Sequence, residues 1–552
     1  MSNFLESIFR RLQASSNRKV LREVRGEKFE SVTAGELLAR VERARQWLRS
    51  EQIAPGERCG LIAANSIQWI VADLALMAEG VVVVPLYHRQ TAAELAGMLK
   101  DCQPRLVLTG DEETTAGLIA AWPQIPQTAV LSRILEAAVP ANLACPLGDP
   151  AEGDLLTIIY TSGTSGEPKG VCLTVGNLNH MTGCTSERLD QLMGRSAGPD
   201  AIFLYAPLNF AASWMLMLSA LLRESVLTLS TDLNRLADEI RLSEPHYFLN
   251  VPTLLERVKR GVEDHLAKQP APIQLLYKKA REAWQRHHAG RGNALDGFTV
   301  ALGRKLIFSK VKQRFGPNLR ALICGSAPLA PETQQFFLML GIPVLQAYGL
   351  TETTALCTLD DPRLPVEPGC VGHPVSGIQM TLGENDEIIV RGPNIFSGYW
   401  NRPEETAKVL RDGWFHTGDQ GEVNVRGNWR IIGRIKNLLV LNSGHKFAPE
   451  PVEDKLTLLL PNAQQVILVG NGRSYVSVLV TGQVESDAVQ SAIDAINPEL
   501  PHYRQIRCFR ILEAGFTPES GLLTANGKLK RDAIAKRYDA EINSMYARKA
   551  TA

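Results

Sequence analysis

Tyr160-Thr161-Ser162-Gly163-Thr164-Ser165-Gly166-Glu167-Pro168-Lys169-Gly170 lies between two apolar runs, Leu155-Leu156-Thr157-Ile158-Ile159 before it and Val171-Cys172-Leu173-Thr174-Val175 after it. Both flanks have the β-branched content of buried strands. The stretch between them holds glycines, hydroxyls and one lysine. Its backbone N–H groups and hydroxyls can therefore face phosphate oxygens, with an ammonium at the far end. It is not a Walker A loop, in which the lysine directly follows a glycine and a Ser or Thr follows the lysine to hold magnesium. Here Glu167 and Pro168 intervene, and Gly170 follows Lys169. A Ser/Gly linker would share the composition, but a linker rarely joins two apolar strands directly. The stretch reads as a loop that handles a nucleoside triphosphate.

Working outward, residues 1–150 alternate helix and strand patterns. Thr33–Glu51 spaces Leu37, Leu38, Val41, Ala44, Trp47 and Leu48 as one helical face. Cys59–Ala63, Gly80–Leu86, Arg105–Thr109 and Thr128–Leu131 read as strands, and Ser66–Glu79 as a helix. Such alternation predicts an α/β domain with a parallel sheet. Residues 137–154, rich in Pro, Ala and Gly, read as a surface connection. Beyond the loop come a strand at Ala201–Pro207, an apolar helix over Trp214–Leu222, a strand at Arg320–Pro328, a helix at Pro331–Leu340 and a strand at Pro343–Ala347. Gly383–Val390 and Glu422–Gly433 read as hairpin strands with Gly427-Asn428 as the turn. After Arg434 the texture becomes α+β, with strands at Gln465–Gly470 and Val476–Thr481. The predicted organisation is a large N-terminal α/β domain over 1–433, of αβ-layered sheets with a β-rich subdomain. A hinge follows at 434–437, then a small mobile α+β C-terminal domain over 438–552.

The bulk composition narrows the function classes. The chain has 552 residues, too many for one core. Its formal net charge of +1 argues against a nucleic-acid binder that relies on a bulk basic field. Nine cysteines without a C-x-x-C pair suit a reducing compartment rather than a disulfide framework or a zinc site. Met1–Leu12 is an amphipathic helix start and not a signal peptide. The most apolar runs fall short of the roughly 20 residues of a membrane span, so a cytoplasmic protein is expected. One region is set apart: Lys278, Lys279, Arg281, Arg286, Arg291, Arg304, Lys305, Lys310, Lys312 and Arg314 crowd the helical segment Lys268–Gly316. That segment reads either as a solvated face or as a peripheral contact with an anionic membrane or a phosphorylated partner.

Five motifs recur in a fixed order: Tyr160–Gly170, Tyr348-Gly349-Leu350-Thr351-Glu352, Gly413-Trp414-Phe415-His416-Thr417-Gly418-Asp419, Gly433-Arg434-Ile435-Lys436-Asn437 and Asn526-Gly527-Lys528. Together they resemble the core motifs of the adenylate-forming (AMP-binding) superfamily over nearly the whole chain. The run Ala301–Val311, followed by Gly325–Leu329, is most similar to long-chain fatty acyl-CoA synthetases. The resemblance implies that a carboxylic acid is joined to AMP with loss of pyrophosphate and then passed to a thiol. Both steps build negative charge that placed cations and N–H donors offset.

By that resemblance Thr161, Ser162, Gly163, Thr164, Ser165, Gly166 and Lys169 hold the ATP phosphates. Thr351 meets the α-phosphate and Glu352 holds Mg²⁺. Tyr348, with Ala347 and Gly349, and the turn Gly325-Ser326-Ala327-Pro328 enclose adenine. Asp419 receives the ribose hydroxyls beside Arg434. Lys528 is the catalytic lysine, and Lys436 the hinge residue about which the small domain turns. Gly444 lies in the thiol channel, and Phe210 and Trp214 face the acyl substrate, Trp214 as a gate or else as a core residue. The implied cofactors are ATP, Mg²⁺ and CoA, or the phosphopantetheine of an acyl carrier protein, and a homodimer is possible on this resemblance.

The sequence departs from the long-chain pattern where Ala525-Asn526-Gly527-Lys528 replaces Pro-Thr-x-Lys, and from the wider family where Asn437 replaces an acidic residue and Phe210 ends a motif that often ends in His. Three readings stay open on the sequence: an acyl-CoA ligase, a carrier-loading acyl-AMP ligase, and a non-catalytic acyl- or nucleotide-binding relative.

Overall fold

The computed structural model describes residues 3–136, 148, 150–162, 167–194, 199–517, 520–523 and 529–547. These fall into two compact units. The first takes Met1–Met380, Val390–Phe415 and Gly427–Trp429, and the second Thr381–Ile389, His416–Arg426 and Arg430–Ala552.

The first unit contains two large sheets. One runs Gly398–Tyr399, Pro168–Thr174, Leu155–Ser162, Val82–Leu86, Arg58–Ile62, Leu106–Thr109, Gln127–Val130 in spatial order. Its last five strands are parallel, as the alternation predicts. Val82–Leu86 is buried at every residue, the signature of a strand covered on both faces. The other sheet orders His373–Pro374, Thr358–Leu359, Val344–Tyr348, Ala321–Cys324, Tyr247–Asn250, Ala201–Leu204, Val226–Leu229, Lys19–Arg25 and Lys28–Thr33. Its centre is parallel and both ends are antiparallel. The N-terminal hairpin Lys19–Arg25/Lys28–Thr33 is not legible in the sequence, because its outer strand is polar and alternates only weakly.

Local signals set the helix ends. Thr33 and Glu36 form a reciprocal capping box at the start of Ala34–Ser50, and Thr91 and Glu94 do the same for Ala92–Cys102. Helices Ile67–Ala78 and Ala211–Leu222 are mostly apolar and almost wholly buried. Each large aliphatic side chain they hide contributes about 1.5–3 kcal/mol. Helix Phe4–Ala14 buries Phe4, Leu5, Ile8, Phe9 and Leu12 and keeps its arginines outside, as its amphipathic start implies.

The second unit is built on Ala463–Val469, Val476–Gly482 and Ile506–Leu512. The third strand goes beyond the sequence expectation. Its run Ile506-Arg507-Cys508-Phe509-Arg510-Ile511-Leu512 has no period of two, and it joins the middle strand in parallel, so its place is fixed only through tertiary pairing. Successive residues of the first strand face opposite ways. Val466 and Leu468 join Val452, Leu456, Val489 and Ile493 on one side, and Ile467 and Val469 join Ile534, Ile542 and Met545 on the other. Trp414–Val423 pairs with Trp429–Arg434, with Gly427 at φ +77° in the turn between them. The hairpin strand expected at Glu422–Gly433 is therefore the turn and second arm of this longer hairpin.

Candidate active site

The described ends of the triphosphate-loop stretch belong to two paired strands. Leu155–Ser162 and Pro168–Thr174 run antiparallel, with Thr161 opposite Lys169 and Ser162 opposite Pro168. Gly163, Thr164, Ser165 and Gly166 lie outside the described residues, as do Lys528 and its neighbours Asn526 and Gly527.

Lys169 is placed by its strand and by a short third strand. Gly398–Tyr399 pairs with Val171 and Cys172, and the Trp400 N–H donates to the Gly170 carbonyl at 2.7 Å. A Cβ on Gly170 would lie 2.6 Å from Ile158 Cγ2, so the close layering there requires glycine. The register brings the Tyr399 ring beneath the Lys169 ammonium, 5.3 Å from Nζ to the ring centroid. Lys169 also forms an ion pair with Glu405, on helix Pro403–Val409. Hydrogen bonds from Lys169 and then Lys408 pull the Glu405 carboxyl down to about 2.

The Tyr399 hydroxyl donates to Glu352 Oε1 at 2.8 Å. Phe396 reinforces that join. Its N–H donates to the Glu352 carbonyl at 2.9 Å, and its ring packs edge-on against Tyr399. Glu352 belongs to a single 3₁₀ turn, Thr351–Thr353, which Thr353 Oγ1 closes by accepting from the Leu350 N–H at 2.9 Å. The loop then passes through left-handed Thr354 and Ala355, and Asn394 Nδ2 ties it down by donating to the Thr353 and Leu356 carbonyls. Lys169 and Glu352, from two distant motifs, thus meet on one phenol. Tyr399, Glu405 and Asn394 are absent from the residues that the sequence singles out. The run Gly398-Tyr399-Trp400 ahead of Pro403-Glu404-Glu405 is the signal that could have exposed the first two.

The strands Ala321–Cys324 and Val344–Tyr348 are parallel neighbours, and their C-terminal ends carry the two turns expected around adenine. Those ends are where open α/β sheets bind ligands. A Cβ on Gly325 would approach the Ala347 carbonyl oxygen to 3.2 Å, and Ser326 adopts a left-handed φ of +72°. Tyr348 is 9% exposed, and its carbonyl accepts from the Cys357 N–H at 2.7 Å. Gly349 is obligatory, since a Cβ there would lie 2.2 Å from the Ala355 carbonyl oxygen. Gly325, Ser326, Ala347, Tyr348, Gly349, Thr351 and Glu352 therefore share one edge of the first unit.

Trp214 is buried at 2% exposed, and its indole N–H donates to Asp73 Oδ2 at 2.8 Å. Phe210 is 36% exposed at the start of the same helix, its ring 6.1 Å from that of Tyr87.

Within the second unit, Asp419 is 3% exposed and pairs with Arg434 Nε at 2.7 Å. Its N–H donates to Thr417 Oγ1, whose own hydroxyl donates to the Ile388 carbonyl. Glu387 secures the same turn from outside, accepting from the Gly418 N–H at 2.9 Å and bonding His416 Nδ1 at 2.7 Å. His416 thus supports the Asp419 turn. Downstream, Glu450 accepts from Asn437 Nδ2 at 2.6 Å, and a Cβ on Gly433 would lie 2.6 Å from Glu450 Oε2. Glu450 therefore flanks the 3₁₀ turn Ile435–Asn437 that contains Lys436. Gly444 has φ +83°, and no described atom lies within 4 Å of where its Cβ would stand. The ring of the next residue, His445, stacks on Tyr503 at 4.3 Å.

Among the described residues no group of three His, Cys, Asp or Glu forms a metal cage. Glu352 fits a different kind of site. A lone carboxylate oxygen ligand suits Mg²⁺, which keeps several waters and takes its other ligands from substrate phosphates. No described helix is long and apolar enough to cross a membrane. All eight described cysteines are unbridged, and seven of them are buried.

A family model described as AMP-binding enzyme matches residues 8–400, and one described as AMP-binding enzyme C-terminal domain matches residues 436–550. The long-chain-fatty-acid–CoA ligase FadD15 of Mycobacterium tuberculosis is 28% identical, covering 93% of this chain and 92% of its own. A putative fatty-acid–CoA ligase of the same species, fadD11, is 31% identical over 71% of this chain and 74% of its own. Among solved structures, the o-succinylbenzoate CoA synthetase of Bacillus subtilis in complex with its acyl-adenylate intermediate superposes with a TM-score of 0.76. It is 20% identical and covers 97% of this chain and 98% of its own. The adenylation domain of a carboxylate reductase from Mycobacterium chelonae gives a TM-score of 0.77 at 21% identity, covering 99% and 91%.

Proposed function

The chain belongs to the AMP-binding enzyme family, and on that premise we propose that it is an ATP-dependent acid–CoA ligase whose acid is a medium- or long-chain fatty acid. The acid's carboxylate attacks the α-phosphorus of ATP, forming acyl-AMP and releasing pyrophosphate. The CoA thiol then attacks the acyl carbonyl, forming the thioester and releasing AMP. The names of the relatives, fatty-acid–CoA ligases matched along most of their length, support both the acid class and the acceptor.

The observation that carries the proposal is the meeting of Lys169 and Glu352 on the Tyr399 ring. An ammonium for phosphate oxygens and a carboxylate for a metal are held at one place, as a triphosphate with its cation demands. Mg²⁺, held by Glu352 and the phosphates, would neutralise charge on the departing pyrophosphate. Thr161 and Thr351 supply hydroxyls to the phosphates, and the Gly325–Pro328 turn and Tyr348 flank adenine. Asp419 accepts from the ribose hydroxyls, an acceptor pairing suited to a vicinal diol, with Arg434 orienting it through their ion pair. Lys528 stabilises charge in the adenylation step, and residues 434–437 with Lys436 form the hinge of a mobile domain over 438–552. Gly444 leaves room for the pantetheine arm, and Phe210 borders the acyl path. On this reading the enzyme works in the cytoplasm, in peripheral contact with membrane.

The test is pyrophosphate release over acids from acetate to stearate, each with CoA, with a phosphopantetheinylated carrier protein, and with neither. CoA-dependent turnover that peaks at medium or long chains is the expected result. A single pyrophosphate burst indifferent to CoA, converted to turnover by the carrier, would replace this reading with a carrier-loading ligase. Lys528→Ala should abolish most pyrophosphate release yet still convert supplied acyl-AMP to thioester, and undiminished release would refute its assigned role.

A further inference from the structure

The near-zero net charge of the chain conceals a segregation. Residues 268–316 carry eleven Lys and Arg against two acids, whereas the rest of the chain carries 48 against 56. One of the two acids is removed from the surface. Asp296 is 4% exposed, caps helix Ala294–Gly303 through Asn293, and pairs with Arg286. Lys278, Lys279, Arg281, Arg286, Arg291, Arg304, Lys305 and Lys310 are all exposed.

The segment is a closely packed helical pair. Helix Ala271–His288 packs against Ala294–Gly303, and a Cβ on Gly303 would lie 2.7 Å from the Ala280 Cβ, so the two backbones approach closely. Helix Ala294–Gly303 continues through a π turn, Arg304–Phe308, into Ser309–Gln313. Val300, Gly303, Ile307 and Phe308 face inward, and Ile307 and Phe308 join the core with Phe248 and Leu322. On another face of the same helix lie Leu295, 76% exposed, Phe298, 69%, Leu302, 37%, and Leu306, 48%. Their spacing of three, four and four residues puts them in one stripe. An apolar stripe of this exposure on a folded surface marks something it meets.

We propose that this stripe is a membrane-docking surface that inserts Leu295, Phe298, Leu302 and Leu306 into the acyl boundary of an anionic bilayer while the surrounding Lys and Arg meet lipid phosphates. The combination of exposed apolar side chains on one helix face and many exposed cations on that helix and the one packed against it is that of an interfacial helix. Each cation near an anionic surface contributes about 1 kcal/mol, which no neutral partner would return. Protein interfaces instead deplete lysine, and nucleic acid offers nothing to a leucine stripe. The face lies in the first unit and includes none of the residues assigned to phosphates and adenine.

The experiment is co-sedimentation of the full chain with vesicles of neutral phosphatidylcholine and of phosphatidylcholine mixed with phosphatidylglycerol, at low and high salt. Strong binding to the anionic vesicles, weakened by salt, is expected. Leu295→Ser with Phe298→Ser should lower the partition coefficient about tenfold or more, since two apolar side chains no longer leave water. Arg304→Glu with Lys305→Glu should abolish the preference for anionic lipid. All variants should keep wild-type turnover on a short, water-soluble acid, which separates failure of docking from failure of the proposed chemistry. No binding to anionic vesicles, or binding unchanged by both double variants, overturns the proposal. A concentration-dependent dimer in solution that Phe298→Ser dissolves would also overturn it, assigning the stripe to a second copy of the chain.

Discussion

Asp73 shows how a single residue can set a pH dependence. It lies on the buried helix Ile67–Ala78 with Oδ1 unpartnered among the described residues and Oδ2 receiving the Trp214 indole N–H. Burial raises its carboxyl from 3.8 to about 7, and the indole offsets this only in part. Folding therefore retains a proton that the unfolded chain gives up above pH 4. The contribution to stability is full below pH 4 and is lost as the pH rises towards 7, to a ceiling of roughly 4 kcal/mol. Asp73→Asn cannot ionise, so its melting temperature relative to wild type should rise between pH 5 and pH 8. A constant difference across that range would show that Asp73 is charged throughout. Tyr399 is the other telling residue. Tyr399→Phe keeps the ring under Lys169 and removes only the donor to Glu352. A hydrogen bond to a carboxylate contributes about 1.5–3 kcal/mol, so pyrophosphate release should fall about tenfold or more and the Mg²⁺ needed for half-maximal rate should change. An unaltered rate and Mg²⁺ dependence would mean that Glu352 is positioned without the phenol.

At the scale of elements, the site is made by strand ends and by turns that only certain residues can occupy. Two adjacent parallel strands deliver the Gly325 and Tyr348 turns side by side, and a two-residue strand, Gly398–Tyr399, carries an aromatic ring to the lysine of the Leu155–Thr174 hairpin. Most principal elements are legible from period and composition. Helix Ala34–Ser50, helix Ile67–Ala78 and strand Val82–Leu86 each repeat or bury residues in a way that one window of sequence reveals. Gly398–Tyr399 and Ile506–Leu512 are not, because the first is too short to carry a period and the second takes its order from its partner. Gly444 tests a turn directly. Its φ of +83° strains any L side chain, yet the space around it is open. Gly444→Val should therefore cost about 2 kcal/mol of stability while slowing thioester formation several-fold relative to adenylation. Equal slowing of both half-reactions would remove Gly444 from the thiol path.

For the whole molecule, the two units have separate cores, and all eight tryptophans, at 47, 69, 122, 214, 284, 400, 414 and 429, fall in the first. Tryptophan emission therefore reports chiefly the first unit, only Trp414 and Trp429 standing on strands that continue into the second, and far-ultraviolet circular dichroism reports both. Urea unfolding should give non-coincident transitions by the two probes, since each core can melt on its own; coincident curves would show that the units unfold as one. By itself the sequence determined the α/β class and most strands and helices, and it nominated the residues proposed to handle a triphosphate, because period, turn chemistry and ordered motifs are local properties. Only the tertiary structure decided which of them meet. Lys169 and Glu352 converge through Tyr399, Asp419 pairs with Arg434, Trp214 turns its indole to a buried carboxyl, and Leu295, Phe298, Leu302 and Leu306 are left outside the core. Those outcomes depend on strand register and on which face of a helix the rest of the chain covers, and neither is written in any one stretch.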